Sequence, residues 1–147
     1  MKYFTREWWH SNGEASSVFK RYDEYLASVS ASLPKNLLQL YSDYTLHDAE
    51  VKKVACFFDT RSVRIELRGW DAALQNPIYY KLQFAGVKEF EQVLPQEEYV
   101  ESELGDLGYW EIEALTEGTE VRMLFVSDAE FRIVFEDFTF EHEPISA

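Results

Sequence analysis

Three histidines, His10, His47 and His142, are the only side chains in this 147-residue chain with ordinary titration near neutral pH, so they are the first candidates for acid–base or metal chemistry. His47 stands in Leu46-His47-Asp48-Ala49, and His47 with Asp48 is the natural candidate for a general base or a pair of metal ligands. No further ligand follows at a recognisable spacing. The same pair equally suits a turn in which Asp48 caps backbone amides and His47 bonds a carbonyl. Glu141-His142-Glu143 is rich in ligand atoms, but neighbours on an extended chain point to opposite sides, and a solvated, frayed terminus is expected there. His10, after Trp8-Trp9, has no partner that the sequence names. The expectation is no tightly held catalytic metal and no cofactor.

Paired carboxylates are the other route to catalysis. Glu111 and Glu113 fall on one face of a strand, roughly 7 Å apart, a separation found in inverting glycosidases. That chemistry needs one carboxyl desolvated while the other stays ionised. Both lie on the polar side of an amphipathic strand, so a solvated face is expected instead. There is no Gly-x-Ser-x-Gly nucleophile motif, and the single Cys56 reads as an inward-facing structural thiol. Gly105-Asp106-Leu107-Gly108 reads as a turn and not as a phosphate loop.

Charge is distributed unevenly along the chain. Residues 1–96 hold 12 basic and 12 acidic residues, whereas residues 97–147 hold Arg122 and Arg132 against 15 acidic ones, which accounts for the net charge of −13. Such an excess repels nucleic acid and anionic membrane and favours a basic protein partner. Glu97, Glu98, Glu101, Glu103, Glu111, Glu113 and Glu120 are the candidate docking residues, with no Lys or Arg from Glu97 to Glu120. Adjacent Trp8 and Trp9 cannot both point inward from regular structure, so one of them is a candidate exposed anchor.

The elements that must position these groups are helical first and strand-rich afterwards. Ser11-Asn12-Gly13-Glu14 reads as a capping box, followed by a stripe of Val18, Tyr22, Tyr25, Leu26, Val29 and Leu33 at helical spacing. Pro34 stops that helix and can start a second, with Leu37, Leu38 and Tyr41 inward. After Asp48 the period becomes 2, through Val54-Cys56-Phe58, Val63-Ile65-Leu67, the strand after Pro77, and a meander over Trp110–Phe135. In the last strand the apolar parity shifts to Phe138 and Phe140, which predicts a β-bulge near Glu136-Asp137. Residues 88–106 read as a long loop or short acidic helix. The expectation is an α+β fold, one or two N-terminal helices packed on a mostly antiparallel sheet of about six strands, as a single domain, 1–147, helical over 1–48 and strand-rich over 49–147. Composition at 46% hydrophobic supports one substantial core. The opening Lys2–Glu7 has no apolar signal segment and nothing approaches a membrane span, so a cytoplasmic protein is expected.

The opening Met1-Lys2-Tyr3-Phe4-Thr5-Arg6-Glu7-Trp8 resembles the start of an uncharacterised family of small bacterial proteins beginning Met-basic-Tyr-Phe-Thr-basic-Glu-aromatic. Tyr44-Thr45-Leu46-His47-Asp48-Ala49-Glu50-Val51 is similar to a Leu-His-Asp junction in several such families, some of them suspected immunity proteins of polymorphic toxin systems. The resemblance implies a bacterial, cytosolic, helix-then-sheet protein and transfers no catalytic residue. Two functions follow as expectations. One is a non-enzymatic interaction protein, of immunity type, presenting acid to a basic partner. The other is a small enzyme or metal-binding protein centred on His47 and Asp48.

Overall fold

The computed structural model describes residues 1–11, 15–95 and 104–145. Three α-helices come first: α1 (Arg6–His10), α2 (Ala15–Val29) and, after a turn of 3-10 helix at Ser30–Ser32, α3 (Lys35–Asp43). Eight strands follow: β1 (Thr45–Phe57), β2 (Ser62–Trp70), β3 (Pro77–Ala85), β4 (Glu89–Val93), β5 (Leu107–Leu115), β6 (Gly118–Phe125), β7 (Glu130–Phe135) and β8 (Asp137–Pro144). Every pairing is antiparallel, but the strands form two four-stranded sheets and not one of about six, in the orders β1-β2-β3-β8 and β4-β7-β6-β5. The α+β class stands.

Two chain crossings join the sheets at one corner. β7 ends at Phe135 and β8 begins at Asp137, so Glu136 alone carries the chain from one sheet to the other. Phe135 and Phe138 are both buried, and the two residues between them are exposed. The parity change is therefore a sheet switch and not a bulge within one ladder. The neighbouring strand turns the same corner between Ala85 and Glu89. There Glu136 N–H donates to Ala85 O (3.0 Å) and Lys88 N–H donates to Val134 O (2.8 Å). Gly86 makes the close approach possible: its φ is +62°, and a Cβ on it would stand 2.8 Å from the Glu136 carboxylate.

Several local expectations give way. β1 starts at Thr45, ahead of Asp48, because Asp48 sits at an irregularity with φ +63° that interrupts the period-2 pattern. β4 occupies residues expected to be loop or helix. Cys56 is exposed, since the end of β1 runs past the core toward the hairpin tip. Ser11 closes α1, with its N–H on Glu7 O and its hydroxyl on Trp8 O. The rest of the expected capping box, Asn12-Gly13-Glu14, lies outside the described residues.

One continuous core unites the helices and both sheets. Val18, Tyr22 and Leu26 of α2 and Leu37 and Leu40 of α3 are buried in the cluster that holds Ile65, Leu82, Ile112, Met123 and Ile133. The position of α2 follows from β5. That strand ends its sheet, so one edge has no neighbouring strand, and a bare edge exposes a row of amides. Ile112 N–H donates to Tyr22 Oη (2.6 Å) and Ala114 N–H to Tyr25 Oη (2.9 Å). The apolar stripe thus carries hydroxyls that close the edge.

Replacing Tyr22 by Phe should leave the buried Ile112 amide without its acceptor at almost unchanged shape, at a cost of about 1–3 kcal/mol. Urea denaturation checks it. A midpoint equal to that of the parent protein would show that the edge amide does not depend on this hydroxyl.

Candidate functional site

Two constellations concentrate the polar chemistry of the chain. The first lies on the face of the second sheet away from the core. In the β5–β6 hairpin Leu115 pairs with Gly118, so register places Glu111 opposite Arg122 and Glu113 opposite Glu120. Glu111 is fully buried, and Arg122 is 6% exposed. The Glu111 carboxylate accepts from Arg122 Nε (2.8 Å) and from three successive main-chain amides, Lys2, Tyr3 (3.0 Å) and Phe4 (3.2 Å). Arg122 Nη1 also reaches Glu113 (2.6 Å) and Glu120, Arg132 Nη1 reaches Glu120 (2.6 Å), and Lys2 Nζ reaches Glu113.

Three carboxylates, Glu111, Glu113 and Glu120, thus meet three cations, Lys2, Arg122 and Arg132. The electrostatics follow from that balance. Burial alone would raise the Glu113 pKa, but hydrogen bonds and charge from Arg122 and Lys2 outweigh it and hold the carboxyl below its ordinary value. Burial would lower Arg122, and Glu113, Glu111 and Glu120 more than reverse that. Burial, rather than solvation, therefore describes Glu111 and Glu120, and they offer no surface to a partner. The expected solvated face was misread because Glu111 and Glu113 have the periodicity of any outward residue. The missed signal is Arg122, the lone base in Val121-Arg122-Met123-Leu124-Phe125, which the turn at Glu117-Gly118 places directly across from Glu111. The remaining candidate docking residues, Glu97, Glu98, Glu101 and Glu103, lie outside the described residues.

The second constellation is a cleft where the start of β1 approaches β5, lined by Phe4, Tyr41, Tyr44, His47, Tyr109 and Trp110 among others, with a volume of about 400 Å³. His47 Nδ1 lies 2.9 Å from Gly108 O. A carbonyl only accepts, so Nδ1 donates to it, and Nε2 lies 3.5 Å from Asp48 Oδ1. Partial desolvation, then Asp48 and Glu50, raises the pKa of Asp106, an exposed residue two positions before Gly108. At the other side of the cleft, burial and then Asp23 push Tyr41 up to about 12.

Both tryptophans pack against this region. Tyr109 lies between them, with T-shaped contacts to Trp8 (5.1 Å) and Trp9 (5.2 Å). The Trp9 indole covers Gly108 so closely that a Cβ there would fall 2.3 Å from it. Both rings are half-buried, so neither is the free anchor expected. A short helix whose two adjacent residues straddle one tyrosine packs both rings.

The other histidines have partners too. His10 Nε2 is 2.9 Å from Asp128 Oδ1, and His142 Nε2 is 2.9 Å from Tyr44 Oη. The segment Glu141-His142-Glu143 is not frayed, because it pairs with Lys81, Tyr80 and Tyr79 in the β3–β8 ladder. Among the described residues no group of three or more His, Cys, Asp or Glu side chains is placed to share a metal ion, and no helix is long and apolar enough to cross a membrane.

Helices that close the edge of a two-sheet antiparallel core, clasped by a buried carboxylate–guanidinium network, define an α+β domain. The chain belongs to a protein family of unknown function, DUF4085, whose family model matches residues 1–135. No curated protein and no solved structure matches it.

Replacing Glu111 by Gln should destabilise the protein by about 3–5 kcal/mol, because Arg122 then remains buried with reduced compensation. The pH dependence has a definite sign. Glu113 is lowered in the folded state, so its contribution is complete above the ordinary value of 4.5 and drains away as pH falls through the lower folded value. Denaturation midpoints measured from pH 7 down to pH 2.5 should therefore fall less steeply in Glu113→Gln than in the parent. Parallel curves would dissociate Glu113 from acid unfolding.

Proposed function

We propose that the chain is a non-enzymatic, cytoplasmic bacterial interaction protein, an immunity-type inhibitor that binds a basic protein partner. The observation that supports this most is the second constellation: an aromatic cleft open to solvent, with the Asp48 carboxylate 3.5 Å from the lining His47 and Asp106 exposed two residues before the lining Gly108. Aromatic side chains at the centre and charge at the rim are the arrangement that anchors a protein partner and speeds its approach. Glu111, Glu113 and Glu120 are engaged internally, so the docking charge is assigned to this rim together with Glu97, Glu98, Glu101 and Glu103, which precede Asp106 in the sequence. A net charge of −13 supplies the long-range attraction.

The enzymatic reading has one observation in its favour, that His47 lines a cleft with Asp48 Oδ1 3.5 Å from its Nε2. The aromatic lining favours docking as the use of the same surface.

The test is affinity capture from a bacterial host of the family at low and high salt, with the parent protein and with Asp48→Asn/Asp106→Asn. The expected result is a basic protein retained by the parent, released by salt, retained less by the double variant, and inhibited in its own toxic activity when bound. A partner that is acidic, or one held equally by parent and variant, would overturn the docking face.

A further inference from the structure

We propose that the aromatic cleft is a receptor for one small organic cation with an alkylated ammonium head. The argument begins with its walls. Phe4, Tyr41, Tyr44, Tyr109 and Trp110 contribute rings to a cavity of about 400 Å³, within the size range of small-ligand sites. Aromatic rings attract cations through the negative potential of their faces, most strongly where water is thin. No lysine or arginine is among the described residues lining the cavity, so no side chain of the wall already occupies the position of a cation.

The surroundings add charge of one sign. Asp48 Oδ1 lies 3.5 Å from Nε2 of the lining His47, and Asp106 is an exposed residue two positions before the lining Gly108. Glu50, near Asp106, has Lys52 at 2.7 Å. Partial desolvation, then Asp48 and Glu50, raises the Asp106 pKa, so a cation close by would favour its charged form. A neutral apolar ligand would gain from the rings and nothing from the rim, and an anion would be repelled by it. An ammonium head draws on both.

The walls are also preformed. Phe4 is held by its main-chain amide on Glu111 and stacks on Tyr109 at 5.3 Å, Tyr41 meets Trp110 edge-on at 5.4 Å, and Tyr44 is tied to His142 at 2.9 Å. Little ordering is left for the ligand to cause, which is what allows a small head group to bind measurably. The inference rests on the same acidic rim as the docking reading, but it can stand or fall separately.

The test titrates the intact protein, followed by amide and indole NMR shifts, with choline and with 3,3-dimethylbutan-1-ol, which has the same shape and no charge. Choline should shift the Gly108 amide and the Trp110 indole saturably, at a concentration about tenfold or more below that needed for the alcohol. Tyr41→Leu should weaken the choline response. Asp106→Asn should weaken it severalfold while leaving the thermal midpoint at neutral pH unchanged or higher, which a loss of folding would not do. Equal affinity for choline and the alcohol, or shifts confined to other surfaces, would overturn the proposal. A basic protein captured by the chain that choline does not displace from the cleft would overturn it while leaving the docking reading intact. Choline binding with no protein captured would uphold it and count against docking.

Discussion

The carboxylate of Glu111 is the constraint on which the rest of the structure depends. A fully buried anion is tolerable only when its hydrogen-bonding capacity is met and an opposite charge is close. Arg122 supplies the charge from the next strand, but three of the donors are main-chain amides of Lys2, Tyr3 and Phe4. A residue of β5 therefore fixes the path of a chain segment more than a hundred positions away. Held there, Phe4 stacks on Tyr109, α1 follows with Thr5 as its cap, and Trp9 lies across Gly108. Had β5 been an interior strand, its amides would have needed no tyrosines, and α2 would have had no polar reason to sit where it does.

This explains why the fold was more legible than the site. Periodicity reports which way a side chain points, and β2 and β3 keep a clean alternation, as β6 and β7 do until Leu124 and Val134 break it, so their inward residues were readable. Whether inward residues of eight strands face one helix layer or each other is invisible to that pattern, because the same alternation serves one sheet or two. The corner at Glu136 shows the limit: a parity change was visible, but a bulge and a sheet switch produce the same apolar spacing. β4 was unreadable for a different reason. Its five residues, Glu89-Phe90-Glu91-Gln92-Val93, form an edge strand whose two sides are too polar to register as an alternation.

The site was harder still because its chemistry depends on pairing rather than on composition. His47 and Asp48 announced themselves by type, and the structure gives them a setting, a carbonyl on Nδ1 and a cleft alongside. Glu111 carried no mark by which composition could tell it from Glu113. Only the register of the hairpin, counted from the turn, sets an arginine in front of it. Aromatic abundance was visible in the sequence at 16%, yet which rings line a cleft and which fill the core depends on where β1 meets β5.

Charge along a sequence and charge in space are different quantities, and here they differ in a way that bears on function. The last third of the chain looked like one continuous acidic surface. In the fold, Arg122 and Arg132 are both committed to the network inside it, and basic groups from the balanced first part reach across to the acidic part, Lys2 to Glu113, Arg6 to Asp128 and Lys88 to Glu136. The acidic third is thus stitched to the remainder by its own counter-ions. Two acids remote in sequence lie instead beside the aromatic cleft, Asp48 3.5 Å from the lining His47 and Asp106 two residues before the lining Gly108. Like charges placed near one another weaken a fold slightly. A negative rim beside half-buried rings therefore contributes little to stability but much to the attraction of a cation. That contrast is the physical ground for placing the working surface at the cleft and not on the strands where the acidic residues are densest.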